Sequence, residues 1–436
     1  MHVPDGFINA PVSVAAGVVA AGAVAVSLRG ARRELTGGTG PLSPPAPQST
    51  TGSAAPPTPA SGTGGERTAP LAGLVAAFIF AVQMLNFPVA AGTSGHLLGG
   101  ALAAILVGPY TGLLCVSVVL LMQGVLFADG GLTALGVNIV DMGVVTVLVA
   151  YGIFRGLLRV LPRGRSAVTG ASFVAALVSV PAAAVVFTGM YAVGGTADVA
   201  LGKVFAAMTG VHVLIGIGEA AITAATVGAV IAVRPDLVYG ARDFTAKPLE
   251  LRTAHVAAPG DGAPAPNTAP NTAPAPNTVP APNTVPDAAP APREDTTDAA
   301  PAPVPADSAP AAPARTGRTV RGLWIGGLAA TVICAGVVSF YASASPDGLE
   351  KVAADNGIDK KAEDHAAEDS PLADYGVASI ADARLSGGLA GVIGAGATLA
   401  AGSAVFVAVR RRRESAPAAA SADSAAPPAP SSRETT

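Results

Sequence analysis

Eight stretches of this chain are apolar for long enough to cross about 30 Å of hydrocarbon. They run from Val12 to Leu28, Leu71 to Ala91, Leu113 to Ala128, Leu132 to Phe154, Val168 to Val193, Met208 to Val233, Leu323 to Ala344 and Leu385 to Val409. Runs of this kind leave few options besides α-helices packed in a bilayer, because every backbone polar group in hydrocarbon must be satisfied within its own segment. A ninth apolar run, Leu97 to Val107, is bounded by Gly95 and by Gly108 with Pro109. It is below spanning length and reads as a tilted or re-entrant helix buried in protein. Composition agrees: 50% of residues are hydrophobic and only 13% charged, against roughly 25% charged in soluble domains. The predicted fold class is therefore all-α and integral to the membrane, a seven-helix bundle over residues 1–243 followed by a two-helix transmembrane hairpin over 321–413.

The rest of the chain looks different. Glycine and proline number 52 and 38, too many for compact helices throughout. They concentrate in Pro-, Ala-, Thr- and Ser-rich tracts at 37–70 and within 244–320, the second containing an imperfect Ala-Pro-Asn-Thr repeat. Such tracts cannot bury enough apolar surface to offset chain entropy, so an insertion, a tether between bundle and hairpin, and a tail at 414–436 are all predicted to be disordered. The net charge of −3 gives no electrostatic handle on nucleic acid. Cys115 and Cys334 lie singly inside apolar runs and read as packing residues.

Basic side chains set the expected orientation. Arg29, Arg32 and Arg33 follow the first span, and Arg155, Arg159, Arg163 and Arg165 follow the fifth. Arg234 and Arg242 follow the seventh, and the run Arg410 to Arg413 follows the ninth. All four clusters share one side only if the first residue faces outward and the short Leu97 helix counts as a crossing. The predicted topology thus has an extracytoplasmic amino terminus, a cytoplasmic carboxyl terminus and the 345–384 loop outside. No Lys or Arg precedes the first apolar run, so an uncleaved helix is expected rather than an export signal.

Five histidines occur, and His255 and His365 fall in the tether and in an acidic loop. The topology puts the other three, His2, His96 and His212, on the outer side. A histidine at position two can chelate through the Met1 amine, its own amide nitrogen and its ring Nδ1. One more imidazole, for which His96 is the candidate, completes a planar four-nitrogen set of the kind that suits Ni(II) or Cu(II), with Co(II) less preferred. Neutral imidazole and deprotonated amide make such a site pH-sensitive. Taken alone, His2 reads as an exposed terminal residue; joined to an outward terminus and His96, it favours metal. His96 sits among glycines and small residues between Asn86 and Gly100, an irregular backbone tolerated at membrane depth only where it lines a cavity or is buried. The alternative there is a loop with a solvated histidine.

Other polar residues fall within the spans. Glu219 lies seven residues beyond His212, about 10 Å deeper on the same face. Asn138 and Asp141 are three apart near the outer end of the fifth span, and Gln83 and Asn86 are expected to share a face of the second. Intramembrane ionisable groups should point into the bundle and be paired. They could guide a cation inward or serve as hydrogen-bonding glue between helices. No HExxH, GxSxG or GxxxxGK[ST] pattern is present, so this chain has no phosphate loop with which to hydrolyse ATP.

The opening Met1-His2-Val-Pro-Asp-Gly-Phe-Ile, the stretch Asn86 to Gly100, the run Asp129 to Asn138 and the run Val211 to Thr223 resemble the substrate-binding component of energy-coupling factor cobalt/nickel transporters, the CbiM/NikM family. The resemblance covers most of residues 1–240. The hairpin with Pro346-Asp347-Gly348-Leu349-Glu350 and Ser370 to Tyr375 is similar to the small accessory component of the same transporters, the CbiN/NikN or PDGLE domain. The resemblance implies metal ligation by Met1, His2 and His96, with Ni(II) or Co(II) as substrate and no permanently bound cofactor. It also implies a transmembrane coupling protein of CbiQ/NikQ type and a cytoplasmic ATPase of CbiO/NikO type. The expected function is therefore the substrate-specific part of an ABC-type importer in the cell membrane. Two alternatives remain: a membrane metal sensor without transport, and a metal-dependent membrane hydrolase. The hydrolase would need an open coordination position and a nearby general base.

Overall fold

In the computed structural model, residues 1–35, 68–90, 92–242 and 316–414 are described. Most of the 37–70 insertion, the 244–320 tether and the 414–436 tail lie outside them. The parts of those tracts that are described are helical: Thr68 to Pro70 begin the second helix, and residues 316–320 begin the hairpin's first. Along the bundle run α1 (Ala10–Leu35), α2 (Thr68–Gln83), α3 (Gly100–Val107), α4 (Pro109–Leu126), α5 (Leu135–Val160), α6 (Arg165–Gly194) and α7 (Leu201–Val233). The hairpin contributes α8 (Thr316–Gly336), a short α9 (Gly348–Asn356) and α10 (Ala383–Glu414). Seven helices of the described residues are long and apolar enough to cross a membrane; α2 and α3 are shorter.

The second span ends earlier than its hydropathy suggests. Helix α2 stops at Gln83, and Phe87–Ala90 and Thr93–Gly95 form a small antiparallel hairpin, β1 and β2. Pro88 is the physical reason, since proline and the residue before it resist helix. Gln83 and Asn86 consequently do not share a helix face. The hairpin leads into α3, which is wholly buried. Gly108 at φ +99° followed by Pro109 then breaks the chain into α4.

Two contacts show how helices settle on one another. The Glu34 carboxylate at the end of α1 accepts hydrogen bonds from the Tyr110 and Thr111 backbone N–H groups at 3.2 and 2.7 Å. An anion is thereby placed on the amino-terminal end of α4, where the helix dipole favours it. In α6, Pro181 cannot donate to the Leu177 carbonyl. Helix α7 closes over that carbonyl with Gly216, where a Cβ would lie only 2.9 Å from the Leu177 oxygen. The hairpin packs through small residues as well: Gly402 of α10 meets Gly73 of α2, and Gly394 meets the Phe80 ring.

The bundle has two unlike ends. Arg155 of α5 donates to the Gly240 carbonyl just past α7, and Gly240 in turn abuts Ile105 near the end of α3. Gly108, one residue past α3, meets Glu34 of α1. The arginine-bearing ends therefore gather on one side, and the amino terminus lies at the other.

Candidate metal centre

Residues 1–9 are sewn into a groove between the start of α5, the α6–α7 turn and the hairpin. Asn138 clamps Val3 on both sides, accepting from its N–H at 2.8 Å and donating to its carbonyl at 3.2 Å. Gly131 N–H donates to the Val3 carbonyl. The Asp5 carboxylate accepts from the backbone of Leu132 and Thr133 and from the Thr133 hydroxyl. Thr196 donates to Gly6 and Phe7 carbonyls, and Asn9 N–H donates to Gly194. Met1, Val3 and Phe7 are each at most 2% exposed. The tip is thus held, not frayed as chain ends usually are.

At its end, the Met1 amine lies 2.7 Å from His96 Nε2. His96 Nδ1 is 3.1 Å from the Leu97 carbonyl, which can only accept. Nδ1 therefore carries the proton, and the Nε2 lone pair faces the amine. The His2 ring sits 5.1 Å from the His96 ring, centroid to centroid. Its Nδ1 is buried without a hydrogen-bond partner, with Asp129 Oδ1 at 3.6 Å. Burial, opposed by Asp129, pulls the His2 imidazole down to about 4, which favours the neutral ring. Among the described residues no three His, Cys, Asp or Glu side chains are grouped to hold a metal. The Met1 amine beside His96 adds a main-chain nitrogen to the side chains available at the tip.

Gly130 makes room for His2. It adopts φ +79°, and a Cβ there would fall 3.2 Å from His2 Nδ1 and 2.9 Å from Asn138 Nδ2. Gly130→Ala is expected to displace the ring while leaving helicity unchanged. Ni(II) affinity should fall roughly tenfold or more, as when ligand-orienting neighbours are lost. Calorimetric titration beside circular dichroism checks both halves.

The Pro346-to-Glu350 motif of the hairpin closes over this tip. The Pro346 carbonyl accepts from Ser94 N–H at 2.8 Å, two residues before His96. Asp347 and Glu350 form a capping box that starts α9. Gly348 lies against α7, where a Cβ would be 2.8 Å from Val211 and 3.3 Å from His212 Cε1. Leu349 is buried. The second oxygen of Asp347 pairs with the Met1 ammonium and is 3.3 Å from His96 Nε2. Burial alone would raise this carboxyl, but the Met1 ammonium beside it holds it well below the usual range. Further along, Tyr375 donates to Asp129 Oδ2 at 2.5 Å and stacks on Phe127. Ala128, Asp374 and Tyr375 all take positive φ, a costly conformation for non-glycine residues that clusters where surroundings over-determine it.

Sequence reasoning named His2 and His96 as candidates, and their rings lie 5.1 Å apart; it did not place Asp347, Asp129 and Tyr375 beside them. The Asp-x-x-Glu spacing of a capping box was a readable signal for α9. His212 lies eleven residues into α7, which starts at Leu201. It is fully buried, with Nδ1 2.7 Å from the Met208 carbonyl. Glu219 accepts from Leu98 and Gly99 N–H groups, and Gln83 Nε2 donates to the Leu98 carbonyl, so both are bound to the backbone that follows His96. Asp141 is buried in a π-helical turn, Ile139–Val145, and neither oxygen has a hydrogen-bond partner. Asn86 lines the cavity of about 450 Å³ that His2, His96, Asp129 and Asp347 border.

Residues 60–237 match the family described as the cobalt uptake substrate-specific transmembrane region, and residues 321–411 match the PDGLE domain. A protein of Haloquadratum walsbyi named for metal transport is 37% identical over 239 residues, covering 55% of this chain and 94% of that one. A protein of Archaeoglobus fulgidus named for fused nickel transport is 43% identical over 196 residues, 44% of this chain and 62% of that one, somewhat under two thirds of its length. A solved structure described as a truncated transition metal transporter covers 53% of this chain and 99% of its own at 23% identity, with a TM-score of 0.41.

Proposed function

This chain belongs to the family of the cobalt uptake substrate-specific transmembrane region, here joined to a PDGLE domain, and we propose that it is the metal-binding component of an importer for Ni(II) or Co(II). The substrate is held by the Met1 amine, the His2 amide nitrogen and Nδ1, and His96 Nε2. The observation that carries this reading is the 2.7 Å approach of the amine to His96 Nε2 at the tip of a segment that Asn138, Thr133 and Thr196 hold by hydrogen bonds. Planar nitrogen ligation leans toward Ni(II). The arginine-rich end of the bundle faces the cytoplasm by the positive-inside rule, so the site opens outward. Transport against a gradient then draws on a separate membrane coupling protein and ATPase.

The reading requires an unblocked amine. Purified full-length protein titrated calorimetrically with NiCl₂ and CoCl₂ is expected to bind, and the same protein carrying one extra residue before Met1 is expected to lose binding. Unchanged affinity in the extended form would refute the site.

A further inference from the structure

We infer that Asp347, carried on the accessory hairpin, is itself a donor to the transported cation, adding one carboxylate oxygen to the nitrogens of Met1, His2 and His96. The inference rests on the site proposed above and extends it to a residue 346 positions from the amine. Its basis is spacing. The Met1 nitrogen, His96 Nε2 and Asp347 Oδ2 are mutual neighbours: amine to imidazole 2.7 Å, imidazole to carboxylate 3.3 Å, and amine to carboxylate in direct contact. Donors bound to one cation at ~2.0 Å lie about 2.8 Å apart at right angles and about 3.3 Å apart at tetrahedral angles. Two of the three separations already match those of donors on one cation, and the direct amine–carboxylate contact, an ion pair, has only to open slightly for the ion to enter between them.

The carboxylate is also aimed. Its other oxygen accepts from Glu350 N–H at 2.8 Å, while Glu350 accepts from Asp347 N–H at 2.9 Å. The capping box therefore commits Oδ1 to the helix and leaves Oδ2 for the amine. Ser94 donates from its N–H to the Pro346 carbonyl and from its hydroxyl to Ser345, which ties this turn to the strand that delivers His96. Asp347 is 7% exposed.

Charge balance points the same way. Without metal, the ammonium and Asp347 cancel. Loading releases two protons, one from the ammonium and one from the His2 amide, and leaves a divalent cation beside one amidate and one carboxylate, again neutral among the groups touching the amine. A site of four nitrogens with only the amidate charged would keep a buried positive charge, which is expensive. Asp129, the other nearby carboxylate, is partly exposed and engaged by Tyr375.

The test uses the full chain with Ni(II) alone as probe, comparing wild type, Asp347→Ala, Asp347→Asn and the form extended before Met1. Asparagine caps helices nearly as well as aspartate, so Asp347→Asn separates lost ligation from lost folding. Both substitutions are expected to weaken Ni(II) binding about tenfold or more. In the nickel K-edge spectrum, planar four-coordinate Ni(II) shows a resolved 1s→4p feature that an axial donor suppresses; the feature should be weak in wild type and emerge in both variants. Wild-type affinity in both variants, or weakened binding with an unchanged edge, overturns the inference while leaving the nitrogen site standing. Undiminished binding by the extended form overturns the nitrogen site itself.

Discussion

Replacing His96 with alanine is expected to abolish high-affinity Ni(II) binding while leaving the protein folded. His96 makes one contact with the Met1 amine and one with its neighbour's carbonyl, plus the long approach to Asp347 and the tilted ring contact with His2. None of these holds a helix in place. Its loss removes the one imidazole that turns a three-nitrogen chelate into a closed plane. A direct ligand should be worth more than the roughly 10–100-fold typical of outer-sphere partners. His212→Ala is the matched control: that ring lies under Gly348, its Nδ1 already committed to Met208. Little change is expected from it. Calorimetry with NiCl₂, read beside circular dichroism, decides; equal losses in the two variants would mean that the planar set has been drawn around the wrong histidine.

Much of the scaffold could be read directly from the residues. Span lengths, the buried Leu97–Val107 helix and the gathering of arginines at one end all follow from hydropathy and charge placement, which depend on local composition. What could not be read depends on distant residues. Asp347 reaches Met1 across nearly the whole chain, and nothing in the spacing of either segment announces the other. The end of α2 at Gln83 was legible in Pro88 but masked by the apolar Phe87, Val89 and Ala90 around it. The π-helical turn at Ile139–Val145 has no sequence signature, yet it carries Asp141 and adjoins Asn138, whose grip on Val3 sets the position of the amine. The tract between Asn86 and Gly100 reads from its glycines as irregular backbone, but only the structure supplies the groups that make it tolerable there.

Those groups lead to the second large effect. Glu219→Leu is expected to destabilise the protein by about 2–5 kcal/mol, because it leaves the Leu98 and Gly99 N–H groups buried without an acceptor, each costing roughly 1–3 kcal/mol. Glu219 is fully buried and accepts these bonds at 2.7 and 3.1 Å. Water cannot replace it at this depth. Thermal unfolding in detergent should shift down by roughly 5–10 °C. Glu219→Gln should fall between the two, since its amide oxygen can serve one N–H while its NH₂ faces the other as a like donor. Metal affinity is expected to drop along with stability, because His96 stands two residues before Leu98 and its position is inherited from that anchor. A Glu219→Leu protein that melts with wild type and binds Ni(II) normally would show that the loop is held by Gln83 and the hairpin alone, and that the carboxylate inside α7 is kept for the passage of the cation instead.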